Sequence, residues 1–214
     1  GKKVILVNCS GSPIGLEPEL ESCDAILQAW YPGQAGGTAV ADILFGKYNP
    51  SARLPVTFYR NVSQLPDFEN YDMAGRTYRY LTEKPLFPFG YGLSYTTFTY
   101  GKPSLNRKSI KVGENIKLTV PLTNSGKMDG EEVVQLYMRK KGDVDGPTKA
   151  LRAFTKTHLV AGQTKQVEFD ITPKQLEWWD EATQSMLVKS GEYEFLVGSS
   201  SDDDSLHKIS FRLK

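Results

Sequence analysis

Cysteine, histidine, long apolar runs and charge of one sign are all scarce in this sequence. Cysteine occurs twice, at Cys9 and Cys23, and histidine twice, at His158 and His207. Two cysteines do not make a disulfide framework; they read as small thiols, with one bridge possible on count alone. Without a Cys/His cluster there is no zinc-site pattern. No apolar run approaches the roughly 20 residues that span a bilayer, so a membrane helix is not expected. Basic and acidic residues number 26 and 25, are well mixed, and leave a net charge of +1. That balance gives no electrostatic footprint for nucleic acid or for an anionic membrane. A signal peptide is also missing, but residues 1–7 open directly on strand-like Gly-Lys-Lys-Val-Ile-Leu-Val. Such a start reads as a piece of something longer, so the missing leader says little about location.

What is present is ordinary in bulk and unusual in one place. The 214 residues are 39% hydrophobic and 24% charged, which suits one large globular domain or two small ones. Residues 76–95 hold six aromatics, two prolines and two glycines. Pro85 and Pro88 remove backbone donors and push the residues before them towards extended geometry. Gly90 and Gly92 admit turn dihedrals closed to other residues. The stretch is therefore an irregular connector that must bury its rings, and it reads as a seam between two domains.

Before the connector the chain alternates strand and helix. Residues 4–7 and 25–31 are continuous apolar runs of the kind buried on both faces of a parallel sheet. Residues 17–23 read as a short helix, and Val40, Ile43 and Leu44 mark a helical face over residues 38–45. The glycine-rich turn at 32–37 matches no phosphate-binding spacing. Residues 56–59 read as an edge strand. This β–α–β–α order belongs to a parallel sheet covered by helices, and two strands are too few to complete one. After the connector, six segments alternate with period two, at 117–123, 131–139, 150–157, 166–171, 191–197 and 208–213. Six or more short strands in about 110 residues are the pattern of an immunoglobulin-type β-sandwich. Trp178 and Trp179 interrupt it in what reads as a turn or helical cap, either covering the core or forming a carbohydrate platform. Residues 199–205, with Asp202-Asp-Asp204, read as a solvated loop at a sandwich tip.

Asn8-Cys-Ser and Asn61-Val-Ser fit the glycosylation triplet, a pattern common by chance. One further polar stretch bears on function. Residues 60–73 set Asp67, Glu69 and Asp72 beside Phe68 and Tyr71. A sugar site combines carboxylates for hydroxyl groups with rings for the pyranose face; an ordinary surface loop has the same composition.

Ala29-Trp-Tyr-Pro-Gly-Gln-Ala-Gly-Gly, the run from Ala41 through Lys47-Tyr-Asn-Pro-Ser-Ala-Arg-Leu-Pro to Phe58, Gly75-Arg-Thr-Tyr-Arg-Tyr and Pro88-Phe-Gly-Tyr-Gly-Leu-Ser-Tyr-Thr closely resemble glycoside hydrolase family 3, in the family's order. Gly75-Arg-Thr-Tyr-Arg-Tyr with Gln64-Leu-Pro-Asp-Phe resembles its β-xylosidase branch. The resemblance implies an α/β plus all-β chain: a partial α/β sandwich, the end of a parallel-sheet domain, over 1–60. An aromatic-rich connector follows over 61–100, then a fibronectin type III-like β-sandwich over 101–214. It also implies a (β/α)₈-type barrel outside this chain, and a retaining exo-acting β-glycosidase needing neither metal nor organic cofactor. Its partner would be an oligosaccharide bound through the missing catalytic domains, its location periplasmic or extracellular. Retention requires two carboxyl groups about 5 Å apart, and no position here matches the family's nucleophile or acid/base motif. Glu17 and Glu19 carry nothing that ties them to the acid/base role. The isolated chain is therefore expected to be inactive.

What this portion offers is pocket wall. Ligands of an open α/β sheet sit beyond the carboxyl ends of its strands, which points to Tyr31 and Gln34, with Asp67, Glu69, Tyr71 and Arg76 of the connector across from them. The competing reading has Arg76 and Arg79 clamping the connector through charge-assisted hydrogen bonds. A second function hypothesis is a non-catalytic carbohydrate- or protein-binding scaffold. Open sheet edges also lead one to expect self-association.

Overall fold

The computed structural model describes residues 1–214. The chain forms two compact units, Gly1–Leu93 and Ser94–Lys214.

In the first unit β1 (Ile5–Asn8) is followed by α1 (Glu17–Ser22), and β2 (Ala25–Gln28) pairs with β1 in parallel, Ile5 against Ala25 and Asn8 against Gln28. Helix α2 (Gly36–Leu44) follows. None of the residues of these two strands is fully buried within this chain, and Ile5 is 48% exposed. Two strands flanked by two short helices leave open edges and half-covered faces within this chain. The register also separates the cysteines. Cys9 follows the carboxyl end of β1 and Cys23 lies two residues before the amino end of β2, on the order of 20 Å apart at the rise of a strand. That is too far to bridge, and both are free thiols.

The connector folds back within this unit. Leu54 and Phe58 exchange main-chain hydrogen bonds with segment 86–91: Leu54 N–H to Tyr91 O at 2.8 Å, Gly90 N–H to Leu54 O at 2.8 Å, Phe58 N–H to Phe87 O at 2.9 Å. The edge strand expected at 56–59 does not form; a single bridge, Phe58 to Phe87, is all that remains of it. Pro55, Pro85 and Pro88 withhold the donors a ladder would need. Rings take over the cohesion. Phe58 is buried and meets Trp30 and Phe87 edge-on, Phe87 stacks on Tyr91 at 5.3 Å, and Tyr78 stacks on Phe89 at 4.5 Å. Gly90 has φ +81°, a turn conformation that a Cβ would strain. A single helical turn, α3 (Thr77–Tyr80), lies between.

The second unit is a sandwich. Its strands are β3 (Phe98–Tyr100), β4 (Ser104–Leu105), β5 (Ser109–Ile110), β6 (Ile116–Asn124), β7 (Gly130–Lys140), β8 (Ala150–Leu159), β9 (Thr164–Ile171), β10 (Trp178–Asp180), β11 (Ser185–Leu187), β12 (Gly191–Gly198) and β13 (His207–Leu213). One sheet runs β5-β13-β12-β7-β8; in the other, β6 pairs β9 and also β3 and β4; β10 and β11 form a separate hairpin. All six long strands expected from the alternation are present. In β6, Ile116, Leu118, Val120 and Leu122 are sealed in the core while Lys117, Thr119 and Thr123 face outward, as a period of two requires. Pro121 sits mid-strand without cost. Its carbonyl accepts from Gly101 N–H at 2.8 Å, so its missing donor faces the break between β3 and β4, where no ladder bond is lost.

Facing β6, the chain brings Val134, Leu136 and Met138 of β7, Tyr193, Phe195 and Val197 of β12, and Phe211 of β13. Phe211 stacks on Phe195 at 4.4 Å and on Tyr193 at 5.6 Å. Burial pushes the Tyr193 phenol up to about 12, with Asp143 adding to the effect, while its hydroxyl donates to Lys189 O at 2.7 Å. Asn124 is the one fully buried amide of β6, and it is fully used. It accepts from Thr96 Oγ1 at 2.7 Å and Gly126 N–H at 3.1 Å, and donates to Met128 O and Leu159 O at 2.8 and 3.1 Å. The register of β8 on β7 slips between Leu136 and Tyr137, leaving Arg152 as the extra residue of a bulge. The loop after β12 departs from the expected solvated tip. Ser200 and Ser201 are buried, and Asp203 pairs with the buried Lys149 at 2.7 Å.

Candidate functional site

Two regions of the first unit carry the residues singled out from sequence. One lies at the carboxyl ends of β1 and β2. Asn8 Nδ2 donates to Gln28 Oε1 at 2.6 Å and to Ser10 Oγ at 2.9 Å, and Ser10 Oγ donates to Ser12 O at 2.8 Å. This network fixes the turn after β1. Tyr31 stands beside it, 78% exposed, with its ring over Gly11 so closely that a Cβ there would clash. The chain reaches that pose through Trp30, held at φ 56°. Gln34 lies exposed in the turn before α2. Glu17 is engaged by Arg60 at 3.0 Å.

The other region is loop 61–76. Asn61 Oδ1 accepts from Ser63 N–H at 3.0 Å, Asp67 Oδ1 from Glu69 N–H at 2.9 Å, and Asn70 Oδ1 from Asp72 N–H at 2.9 Å. These are successive Asx turns, the local bonding that short Asn and Asp side chains favour. Arg76 closes the loop on itself. Nε donates to Asp72 O at 3.0 Å and Nη2 to Asp67 O and Asn70 O at 3.3 and 2.5 Å. After it, Thr77 N–H donates to Tyr59 Oη at 2.8 Å. The loop surrounds a cavity of about 620 Å³ lined by Asp67, Phe68, Asn70, Tyr71, Met73 and Arg76, among others. Of the residues named from sequence, Asp67, Tyr71 and Arg76 meet there; Glu69, Tyr31 and Gln34 are not in its lining. Asn70 and Met73 were not singled out. The Asp67-x-x-Asn70-x-Asp72 spacing, with an Asx residue at each turn, is the signal that marks Asn70.

No group of three or more His, Cys, Asp or Glu is placed to hold a metal ion. No helix is long and apolar enough to cross a membrane.

The tryptophan platform is corrected by the hairpin. Trp178 and Trp179 lie on β10, where neighbours point to opposite faces. Trp178 is in the core with the Arg152 guanidinium 4.4 Å over its ring, and its indole N–H has no hydrogen-bond partner. Only Trp179 is open, half exposed, its indole N–H donating to Glu181 at 2.9 Å. Next to it Asp180 is held down to about 2, first by Lys189 and then by Thr183, whose hydroxyl donates to it at 2.6 Å.

Comparison with known proteins gives these surfaces a context. Residues 1–95 match the model of the glycosyl hydrolase family 3 C-terminal domain, and residues 132–201 that of a fibronectin type III-like domain. A xylan 1,4-β-xylosidase of Xylanibacter ruminicola is 54% identical over 213 residues, covering 100% of this chain and 24% of the relative. A periplasmic β-glucosidase of Salmonella typhimurium is 37% identical, covering 92% of this chain and 29% of the relative. The chain thus spans about a quarter of the length of these curated relatives. Among solved structures, a β-glucosidase from Erythrobacter marinus superposes with TM-score 0.85 at 39% identity, covering 98% of this chain and 28% of that one. The β-glucosidase of Listeria innocua with bound glucose gives 0.86 at 30% identity, covering 100% and 31%. The chain belongs to glycosyl hydrolase family 3, a family of β-xylosidases and β-glucosidases, as its C-terminal portion: the family's C-terminal domain followed by a fibronectin type III-like sandwich.

Proposed function

We propose that this chain is the C-terminal part of a retaining, exo-acting β-xylosidase that releases single sugars from the non-reducing ends of oligosaccharides. The observation that carries the reading is the 54% identity, across the whole chain, to a relative named for xylan 1,4-β-xylosidase activity, against 37% to one named β-glucosidase. Retaining hydrolysis needs a carboxylate that attacks the anomeric carbon and a second that protonates the leaving oxygen and then activates water, about 5 Å apart. Both lie in the remainder of the longer protein, so the 214-residue chain alone turns over no glycoside. Its share of the work is to wall the sugar site. Tyr31 and Gln34 stand at the strand ends, where ligands of parallel sheets collect, with Asp67, Tyr71 and Arg76, and Glu69 beside them, on the loop. The protein works in the periplasm or outside the cell, as the name of the Salmonella relative suggests.

The test is an immunoblot of source cells with antibody to this chain, followed by assay of the band it detects. The reading expects a band several times heavier than 23.9 kDa that hydrolyses aryl β-xylosides faster than aryl β-glucosides, and no turnover by the pure chain. A band at 23.9 kDa, or turnover by the pure chain, overturns it.

A further inference from the structure

Trp30, two residues past β2, has φ 56°, a left-handed conformation in which a bulky side chain is an outlier. Residues held this way gather at sites where the strain has a use. Trp30 is held from both sides: Ala29 N–H before it donates to Asn8 O at 2.8 Å, and its own ring meets Phe58 edge-on at 6.1 Å. The consequence falls on the next residue. Tyr31 lays its ring on Gly11, where a Cβ would stand 2.4 Å from Cε2, 3.0 Å from Cζ and 3.2 Å from Cδ2. Gly11 does not have a positive φ, so the ring, and not the backbone, calls for glycine there. The segment that carries Gly11 is tied from below as well. Ser10 Oγ accepts from Asn8 Nδ2 at 2.9 Å and donates to Ser12 O at 2.8 Å, and Gln28 Nε2 donates to Ser10 O at 3.3 Å. The ends of both strands thus hold Ser10, and the turn after β2 covers Gly11. Two neighbouring loops are joined at the carboxyl edge of the parallel pair, the edge where ligands of such sheets collect.

We propose that Tyr31 is a positioning residue: it acts on the substrate through segment 10–12, which its ring holds, and the left-handed backbone of Trp30 is what carries the ring there. The contact is made by ring carbons, so it does not depend on the hydroxyl. Gly11, Ser10 and Trp30 join the site on this account, and Tyr31 keeps its place at the rim with a different task. The inference rests on the glycosidase reading above.

Two double-variant cycles make the test. Gly11→Ala and Tyr31→Ala undo one contact by different routes, the first by pushing the ring off and the second by removing it. In urea unfolding of the 214-residue chain the shift of the pair should therefore fall short of the sum of the single shifts; additive shifts overturn the proposal. Ser10→Ala and Tyr31→Ala loosen one segment from opposite sides. Made in the longer protein and assayed on an aryl β-xyloside, each should raise KM about tenfold and leave kcat within about twofold, since a displaced rim weakens ground and transition states alike. The pair should stay near the worse single variant, because a segment already loose has little left to lose. Tyr31→Phe, which keeps the ring carbons, should bring the KM back. A pair that multiplies to about a hundredfold, a KM that Ser10→Ala does not move, or a Tyr31→Phe as impaired as Tyr31→Ala makes Tyr31 a direct sugar contact and overturns the proposal. So does an unmoved KM beside lowered unfolding midpoints, the mark of a tie that is structural only. Hydrolysis with an unmoved KM leaves the enzyme reading standing without the role given to Tyr31. A longer protein that hydrolyses no glycoside, with the unfolding cycle still coupled, overturns the enzyme reading and leaves the contact between Tyr31 and Gly11 in place.

Discussion

The two units bury their apolar residues by different means. In Ser94–Lys214 the strands of two sheets close over one another, and Ile116, Leu118, Leu136, Phe195 and Val197 lose all contact with water. In Gly1–Leu93 the aromatic residues do the packing, Phe58 among Trp30 and Phe87, while Val4, Ile5, Leu44 and Phe45 stay exposed. One unit has a core supplied by its own alternating strands. The other has apolar surface left over after its own packing is complete. Stability should therefore be concentrated in the sandwich and local in the first unit.

The sharpest way to break that contrast is to cut one apolar side chain from each. Phe195→Ala removes a ring stacked on Phe211 in a sealed core and should cost about 3–5 kcal/mol. Ile5→Ala, on a strand already half open to water, should cost less than about 1 kcal/mol. Urea unfolding of the two variants measures both; equal losses would dissolve the distinction. A smaller effect is expected at Asn124, where the sandwich holds polar rather than apolar atoms. Asn124→Ala strips partners from Thr96 Oγ1, Gly126 N–H, Met128 O and Leu159 O, and the same unfolding experiment should show a loss of about 2–3 kcal/mol. A loss under about 0.5 kcal/mol would mean that water replaces the amide readily.

The smallest expected effect is electrostatic and sits at the hairpin. Asp180 has its folded pKa lowered from 3.8 to about 2, so the unfolded chain binds the proton first as pH falls. Its contribution to stability is whole above pH 3.8 and drains away as pH drops towards 2. Asp180→Asn should flatten the acid limb of an unfolding curve over that window and leave stability unchanged in pH dependence above it. Fluorescence of the neighbouring, half-exposed Trp179 gives a local readout; an acid limb identical in the two proteins would show that the Lys189 and Thr183 contacts do not persist in solution.

The sandwich was legible because period-two alternation is a direct image of a two-faced strand. Residues 116–122 show it plainly: Ile116, Leu118, Val120 and Leu122 enter the core and fall on one face. The same rule, applied to adjacent Trp178 and Trp179, separates core from surface, but only once residues 178–187 are seen as a hairpin rather than a cap. An apolar run such as 4–7 announces a strand of a parallel sheet, and the amount of sheet around it then decides whether it is buried. The order of loop 61–76 was hidden for a different reason. Its carboxylates and rings were visible, but Arg76 bonds to carbonyls of the main chain, and no side-chain pattern in a sequence records which carbonyls a loop turns inward.

Strand β8 is the outer strand of the five-stranded sheet, ten residues long, and some of its carbonyls are already engaged: Arg152 O accepts from Gln175 Nε2 at 3.1 Å and His158 O from Lys165 Nζ at 2.7 Å. Its bulge puts Arg152 out of register near the start of the strand, Lys156 follows four residues later, and Pro147 stands three residues before the strand begins. An incoming strand from another molecule would find its template interrupted, charged and denied a donor at the approach. The bulge that seats Arg152 over Trp178 thus also works as a stop against edge-to-edge polymerisation.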